Sequence, residues 1–217
     1  MILRKHFRAC LKENVSDETK KTAVSTDAAI CRAAVADRKC LTVALYGHET
    51  MLFLYVEALS EELMPQALFP ELSKLLELWP QKDGKTPWAS MYHIYYHAVP
   101  KSEQMWARIG TKIRRGRIAY LKEEKLFSYI FYHKMIVDEG LLEGDMYQSI
   151  ALHENILFSY FEEPKIFTHI KSEDDRSSEA IKAWMAVDPE SHFDHELSGE
   201  DNFLLIDEIF STGREDL

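Results

Sequence analysis

Residues 48–57 read HETMLFLYVE, and residues 153–162 read HENILFSYFE. Six of the ten positions are identical, at an offset of 105 residues. A second pair of windows, residues 4–13 and 114–123, shares Arg, Ala, Leu, Lys and Glu at matching positions, at an offset of 110. Two pairs of windows with similar offsets in the same order indicate an internal duplication.

We predict two diverged copies of one unit, copy 1 at residues 1–105 and copy 2 at residues 106–217. Each copy reads as a strand, a helix, a two-stranded hairpin, a second helix and a closing strand. The predicted ranges are 4–12, 16–37, 41–47, 51–58, 67–79 and 89–99 in copy 1, and 116–122, 125–141, 147–152, 156–162, 178–187 and 203–210 in copy 2. This β-α-β-β-α-β order predicts an α+β fold of tandem ferredoxin-like units, each a four-stranded antiparallel sheet with both helices on one face.

The hairpin strand of copy 1 carries a further constraint. Residues 51–56 are apolar at both parities, so both faces of this strand need burial. Packing the two sheets face to face would satisfy this need and enclose a shared interior suited to a ligand. In a competing register the strand at 51–58 opens a unit and 67–79 is its first helix, but the repeated windows at Arg4 and Arg114 argue against it.

Composition predicts a globular protein of the cytoplasm. The chain is 46% hydrophobic, and it has no apolar run of the length that a membrane span or a signal peptide needs. Cys10, Cys31 and Cys40 all lie in copy 1 without a C-x-x-C pair, which favours reduced thiols over disulfides. We therefore expect neither a secreted protein nor a membrane partner.

The charge distribution argues against nucleic acid as a partner. The net charge is −10, and copy 2 carries all of it, with 13 basic and 23 acidic side chains. Binding to phosphates requires clustered Lys and Arg. One cluster exists, at Lys112, Arg114, Arg115 and Arg117, and it reads as the solvated start of a strand after a linker.

Tyr129 and His133 are the first candidates for chemistry. Their i, i+4 spacing puts both on one face of the predicted helix. A phenol beside an imidazole can transfer protons, since His titrates near neutral pH. The same helix is aromatic nearly all round, so both side chains could equally be packing residues with satisfied polar tips.

Copy 2 resembles the L-rhamnose mutarotase family over roughly residues 114–211. The Arg114-Arg115 pair, the Tyr129-x-x-x-His133 spacing, the hairpin at 150–158, Trp184 and the run at 208–210 carry the resemblance. It implies Tyr129 and His133 as catalytic residues, with Arg114 and Trp184 at the ligand. Copy 1 lacks the Tyr-x-x-x-His pattern in its Ala-rich first helix.

The resemblance implies a racemase or epimerase activity on a small aldose. One of the two catalytic groups would take the proton of the anomeric hydroxyl while the other protonates the ring oxygen, without a cofactor or a metal. It also implies that the two copies form within one chain the α/β barrel that single-unit relatives form as dimers. The expected state is therefore a monomer or a weak homodimer.

Two further runs are candidates for binding. Period-two alternation places His93, Tyr95 and His97 on one face of the closing strand of copy 1, where they could line a ligand pocket. The run from His192 to Glu196 could hold a divalent ion, but a single short run rarely supplies enough ligands, and we expect no metal.

Two functional hypotheses follow. The first is a mutarotase-like enzyme that uses Tyr129 and His133. The second is a non-catalytic protein that binds a small molecule or haem and keeps only the fold. A polar pocket presenting Tyr129 and His133 would favour the enzyme, and packing of the same side chains against aliphatic residues would favour the binding protein.

Overall fold

The chain forms two compact units, and the computed structural model describes residues 1–82, 84–171, 176–199 and 201–216. Unit 1 comprises Met1–Met91, Pro100–Thr111 and Asp207–Leu217, and unit 2 comprises Tyr92–Val99 and Lys112–Ile206. The predicted copies at 1–105 and 106–217 are ranges of sequence that do not coincide with these units. The internal duplication of the sequence stays a prediction. No helix in the described ranges is at once long and apolar enough to span a membrane.

Unit 1 begins with the predicted strand, helix and hairpin. These are β1 (Leu3–Cys10), α1 (Asp17–Ala36), β2 (Cys40–His48) and β3 (Met51–Ala58). Helix α1 begins where the sequence predicts, because the Ser16 hydroxyl accepts a hydrogen bond from the Thr19 amide at 3.1 Å. The hairpin turns at Glu49, whose φ is +53°. Residues 52–58 are all buried, which confirms that both faces of β3 need burial.

The predicted helix at 67–79 is wrong in extent. The segment forms two short helices, α2 (Pro65–Leu68) and α3 (Pro70–Ser73), followed by the hairpin of β4 (Trp79–Gln81) and β5 (Gly84–Thr86). Pro70 has no amide hydrogen to continue the first helix, so the chain breaks at Phe69. Helix α3 is fixed by buried Asp27, whose carboxylate accepts hydrogen bonds from the amides of Glu71 and Leu72 at 3.2 and 2.9 Å.

The predicted closing strand at 89–99 is divided between the two units. Its first part is β6 (Ala89–Ser90) in unit 1, and its second part is β7 (Tyr92–Tyr96) in unit 2. The remaining elements of unit 2 are β8 (Ile113–Tyr120), α4 (Leu126–Glu139), β9 (Gly144–Asp145), β10 (Ser149–His153), β11 (Ile156–Glu163), β12 (Phe167–Thr168), α5 (Glu179–Ala186), α6 (His195–Ser198) and β13 (Leu204–Gly213).

Each unit has the strand order of a ferredoxin-like sheet plus one additional strand. In unit 1 the order is β6-β1-β3-β2, extended beyond β2 by residues 207–213 of β13. In unit 2 residues 204–206 of β13 begin the order, followed by β8-β11-β10 and then β7. All pairings are antiparallel. The structure thus confirms the α+β class and the tandem ferredoxin-like units.

A β-bulge in β7 determines which side chains face the helices of unit 2. Tyr95 pairs with Ile150 and His93 pairs with Ala151, so Ile94 is the extra residue. Ile150 and Ala151 are consecutive, so their side chains point to opposite faces of the sheet. The side chains of their partners, Tyr95 and His93, must therefore also point to opposite faces. The prediction that His93 and Tyr95 share one face is therefore wrong.

Unit 1 contains a buried ion pair on the face of β3 opposite to the helices. The Glu57 carboxylate accepts two hydrogen bonds from Arg108, both at 2.7 Å, one from the Trp106 indole at 2.7 Å and one from the Tyr55 hydroxyl at 2.9 Å. Burial alone would raise the pKa of Glu57, but Arg108 and the two neutral donors outweigh it and hold the pKa below its ordinary value.

We expect Arg108→Ala to destabilise the protein by about 3–5 kcal/mol, because it removes the bidentate ion partner of a fully buried carboxylate and leaves only the neutral donors Trp106 and Tyr55. The matched control is Lys74→Ala, which removes the exposed pair with Glu71 and should cost about 1 kcal/mol or less. Urea unfolding of both variants measures the difference. Equal losses would show that the Glu57 site contributes no more than a surface pair.

Candidate binding site

Most of the site residues predicted from the sequence meet in one aromatic cluster of unit 2. Its side chains come from the edge strand β7, from helices α4 and α5, and from the turn after α5. We use the name aromatic cluster for Tyr95, His97, Tyr129, His133, Trp184 and His192.

Helix α4 holds Tyr129 and His133 one turn apart on its buried side. Their rings stack with centroids 3.8 Å apart and an interplanar angle of 19°. His133 Nδ1 lies 2.9 Å from the Tyr129 carbonyl oxygen. Since a carbonyl can only accept, Nδ1 carries the proton, and the Nε2 of a neutral His133 has a free lone pair.

Trp184 and Tyr95 pack edge-on against this stacked pair. The Trp184 ring lies 4.9 Å from that of His133 and 5.6 Å from that of Tyr129, and the Tyr95 ring lies 5.3 Å from His133. The end of α4 positions Trp184, because the Glu139 carboxylate accepts hydrogen bonds from the first amides of α5. Edge-to-face contacts of this kind stabilise aromatic side chains beyond their burial.

His97 and His192 complete the cluster at its two ends. The His97 ring lies 4.9 Å from Tyr95 and flat against Gly144, where an added Cβ would come within 2.1 Å of the imidazole. His192 lies 4.7 Å from Trp184, and its Nε2 is 2.8 Å from the Ser128 hydroxyl.

The run from His192 to Glu196 does not converge on one point. His192 is buried in the cluster, whereas His195 lies 3.0 Å from the Glu190 carboxylate and 3.0 Å from the Gly199 carbonyl. Within the described ranges no group of three or more His, Cys, Asp or Glu side chains is placed to hold a metal.

Burial keeps three ionisable members of the cluster, His133, Tyr129 and Tyr95, neutral near pH 7. It lowers the pKa of His133 to about 4, although the hydrogen bond to the Tyr129 carbonyl opposes this shift. Burial also raises the pKa of Tyr129 and that of Tyr95, and each of the two phenols is too deeply placed to ionise near neutral pH. The cluster therefore offers a neutral imidazole and neutral phenols.

Three polar ends of the cluster have no hydrogen-bond partner among the described residues. These are the hydroxyls of Tyr95 and Tyr129 and the Nε2 of His133, on side chains that are more than nine-tenths buried. The cluster is therefore able to accept partners from outside the chain.

Arg117 adds a positive charge close to the cluster. It lies over the rings of Phe161 and Phe203, at 5.1 and 4.4 Å, and its Nε is 3.4 Å from the Ser159 hydroxyl. Burial lowers its pKa, and Tyr129 is near enough to oppose that shift. No carboxylate in the described part of the chain pairs with it, and a desolvated guanidinium without a counter-charge is a natural anion site.

Two predicted ligand-binding residues lie outside the cluster. The bulge in β7 turns His93 to the other face of the sheet, where it contacts Tyr96 at 5.2 Å. Arg114 is three residues before Arg117, so it points to the opposite face of β8, and it is buried directly across from Glu162. A role for either residue in binding stays a prediction.

Sequence reasoning assigned Arg117 and His192 to other roles. Arg117 was grouped with the basic strand start, although its parity with Ala119 and Leu121, which lie in the helix-side core, could have placed it under α4. His192 was considered only as a metal ligand. Its position depends on the turn after α5, for which the sequence has no periodic signal.

Comparisons with known proteins identify neither a family nor an activity. No protein-family model matches the chain, and no curated protein matches it, so membership of the L-rhamnose mutarotase family is not shown. Similar folds occur in a candidate monooxygenase from Fusobacterium nucleatum (11% identity, TM-score 0.45, 97% of this chain and 94% of that one) and in one from Lactobacillus acidophilus (6%, 0.47, 97% and 96%). An anthrone oxidase-like protein is also similar (10%, 0.40, 99% and 94%). Similarity at this level gives no information on ligand or activity.

We expect His133 to stay neutral down to about pH 5, because its pKa is lowered to about 4. The unfolded chain protonates this residue near its ordinary value of 6.5, so the free energy of unfolding should fall as the pH drops from 6.5 towards 4. Carbon-detected NMR of the imidazole follows the titration, and His133→Gln identifies its resonance. A midpoint near 6.5 would contradict the buried, neutral imidazole.

Proposed function

We propose that this protein binds a small planar molecule at the aromatic cluster, through an oxygen that is anionic or strongly accepting. One observation carries the proposal: the Tyr95 hydroxyl, the Tyr129 hydroxyl and His133 Nε2 have no hydrogen-bond partner among the described residues, on side chains that are largely buried, and Arg117 lies close by without a carboxylate partner there. Phenols, enols and aromatic carboxylates have this chemistry.

The ligand's groups follow from the donors and acceptors of the cluster. The two neutral phenols and the guanidinium donate, so they match a carboxylate or enolate oxygen. His133 Nε2 accepts, so it matches a hydroxyl on the same ligand. The aromatic composition of the cluster favours a flat, apolar body over a fully hydroxylated one.

Anomer exchange is a second candidate at the same site, and the protonation states of the stacked pair favour it. A neutral His133 can act as a base while a neutral Tyr129 acts as an acid, as sugar ring opening requires. The mostly aromatic surroundings offer a sugar few hydrogen-bond partners. Binding is therefore the conclusion that we put first, with the mutarotase-like activity as its alternative.

Saturation-transfer NMR tests both candidates in one series. The panel contains 4-hydroxybenzoate and 1-hydroxy-2-naphthoate as planar ligands, and L-rhamnose, L-fucose and D-ribose as aldoses. We expect saturation of the aromatic ligands, with the Kd raised about fivefold in Tyr129→Phe, since one hydrogen bond contributes about 1 kcal/mol. Tyr92→Phe, an exposed tyrosine of the same strand as Tyr95, is the matched control.

The outcomes separate the two candidates. Faster anomer exchange that is lost in both Tyr129→Phe and His133→Gln would establish the mutarotase-like activity. Saturation of the aromatic ligands without anomer exchange would support the binding protein. If neither class of molecule binds, or if Tyr129→Phe and Tyr92→Phe behave alike, the cluster is a packed core without a ligand.

A further inference from the structure

Unit 1 has an open groove at the position that the aromatic cluster occupies in unit 2. The groove has a volume of about 520 Å³ and lies between α1 and β13. Its floor includes Val24, Ala28 and Phe210, and its rim includes Lys20, Lys21 and Arg32. A volume of this size is within the range of small-molecule sites.

The helices show that the two positions are equivalent. Helix α1 begins at Asp17 and α4 at Leu126, an offset of 109 residues. At this offset Val24, Asp27 and Ala28 correspond to His133, Ile136 and Val137, and all six are buried. Lys20 then corresponds to Tyr129, so the phenol and imidazole of unit 2 are replaced in unit 1 by an ammonium and an aliphatic side chain.

Strands β7 and β13 show that the two positions are equivalent in the sheets as well. Phe210 pairs with Leu45, which is equivalent to Ile150 at the hairpin offset of 105, and Ile150 pairs with Tyr95. The register of β13 shifts just before Phe210, as the register of β7 shifts just before Tyr95. The same backbone position therefore holds Tyr95 in unit 2 and Phe210 in unit 1, so the groove of unit 1 lacks the tyrosine hydroxyl.

The charges of the groove are opposite to those of the whole protein. Lys20, Lys21 and Arg32 outnumber the single acidic lining residue, Asp17, in a chain of net charge −10. Asp17 lies 2.9 Å from Lys20 and is almost fully exposed. Arg32 lies over the Phe210 ring at 5.6 Å, and no carboxylate in the described ranges pairs with it.

We propose that this groove binds an amphipathic carboxylate of the fatty-acid type. The alkyl chain would lie on Val24, Ala28 and Phe210, and the carboxylate would reach the cations at the rim, with Arg32 as its main partner. Burial of the chain supplies most of the affinity, and the cations select the charged head. This site is independent of the function proposed for unit 2.

Isothermal titration calorimetry of the full chain with sodium dodecanoate tests the proposal. We expect saturable binding at one site, with the Kd raised about fivefold to tenfold in Arg32→Gln. Ala28→Phe, which fills the floor, should abolish binding. If that variant does not fold, Ser25→Trp covers the groove from an exposed position of the same helix. Lys74→Gln, a cation outside the groove, is the control and should leave the Kd unchanged.

Each outcome decides the proposal. Tight binding of dodecanoate and much weaker binding of the uncharged dodecanol support a site for an amphipathic anion. Equal affinity for the two molecules would overturn the role of the cations. Dodecanoate binding that survives both Arg32→Gln and the groove-filling variant, or no binding by the unaltered protein, would overturn the site itself.

Discussion

The pairing register of β7 on β10 is the interaction on which the site depends. Because Ile94 is bulged, Tyr95 faces helix α4 and reaches His133, while His93 turns to the other face. A regular strand would have kept both side chains on one face. A bulge of the same kind occurs in β13, where Ile209 is the extra residue and Phe210 takes the position of Tyr95. Equivalent positions in β7 and β13 thus hold Tyr95 in unit 2 and Phe210 in unit 1.

The two units resemble each other more closely in backbone geometry than in side-chain chemistry. Both units have the same strand order, and the buried Tyr-x-Glu of β3 has its counterpart in β11, where the Tyr160 hydroxyl lies 2.6 Å from Glu162. Around the first helix the units differ. Unit 2 fills the space beside α4 with aromatic rings and leaves polar ends without partners, whereas unit 1 leaves a groove with an aliphatic floor and a cationic rim. The ligands that we propose for the two units differ for this reason.

Much of the fold followed from local sequence patterns. Ser16 begins α1, the turn at Glu49 joins β2 to β3, and the apolar run in β3 is buried on both faces, as predicted. The prediction of one continuous second helix in unit 1 was wrong. It relied on apolar residues at helical spacing and gave too little weight to Pro65 and Pro70. The division of each closing strand between two units could not be predicted from one copy, since strand pairing is decided by residues that are distant in sequence.

The candidate site was predicted only in part. The i, i+4 spacing identified Tyr129 and His133, and their stacking confirms that they share a face. The period-two alternation of side chains placed His93 on the wrong face of β7, because this rule assumes a strand without a bulge. Arg117 was missed because basic residues near a strand start usually face water, and its burial depends on Phe161 of β11 and on Phe203, which directly precedes β13.

The most direct test of a ligand at the aromatic cluster is to follow the imidazole nitrogens of His133 while 4-hydroxybenzoate is added to protein labelled with ¹⁵N at histidine. A hydroxyl that donates to Nε2 changes the shift of that nitrogen and leaves Nδ1, which is bonded to the Tyr129 carbonyl, nearly unchanged. We expect a saturable shift of His133 Nε2, with no shift at His48 in unit 1. An unchanged His133, or equal shifts at both histidines, would contradict this expectation.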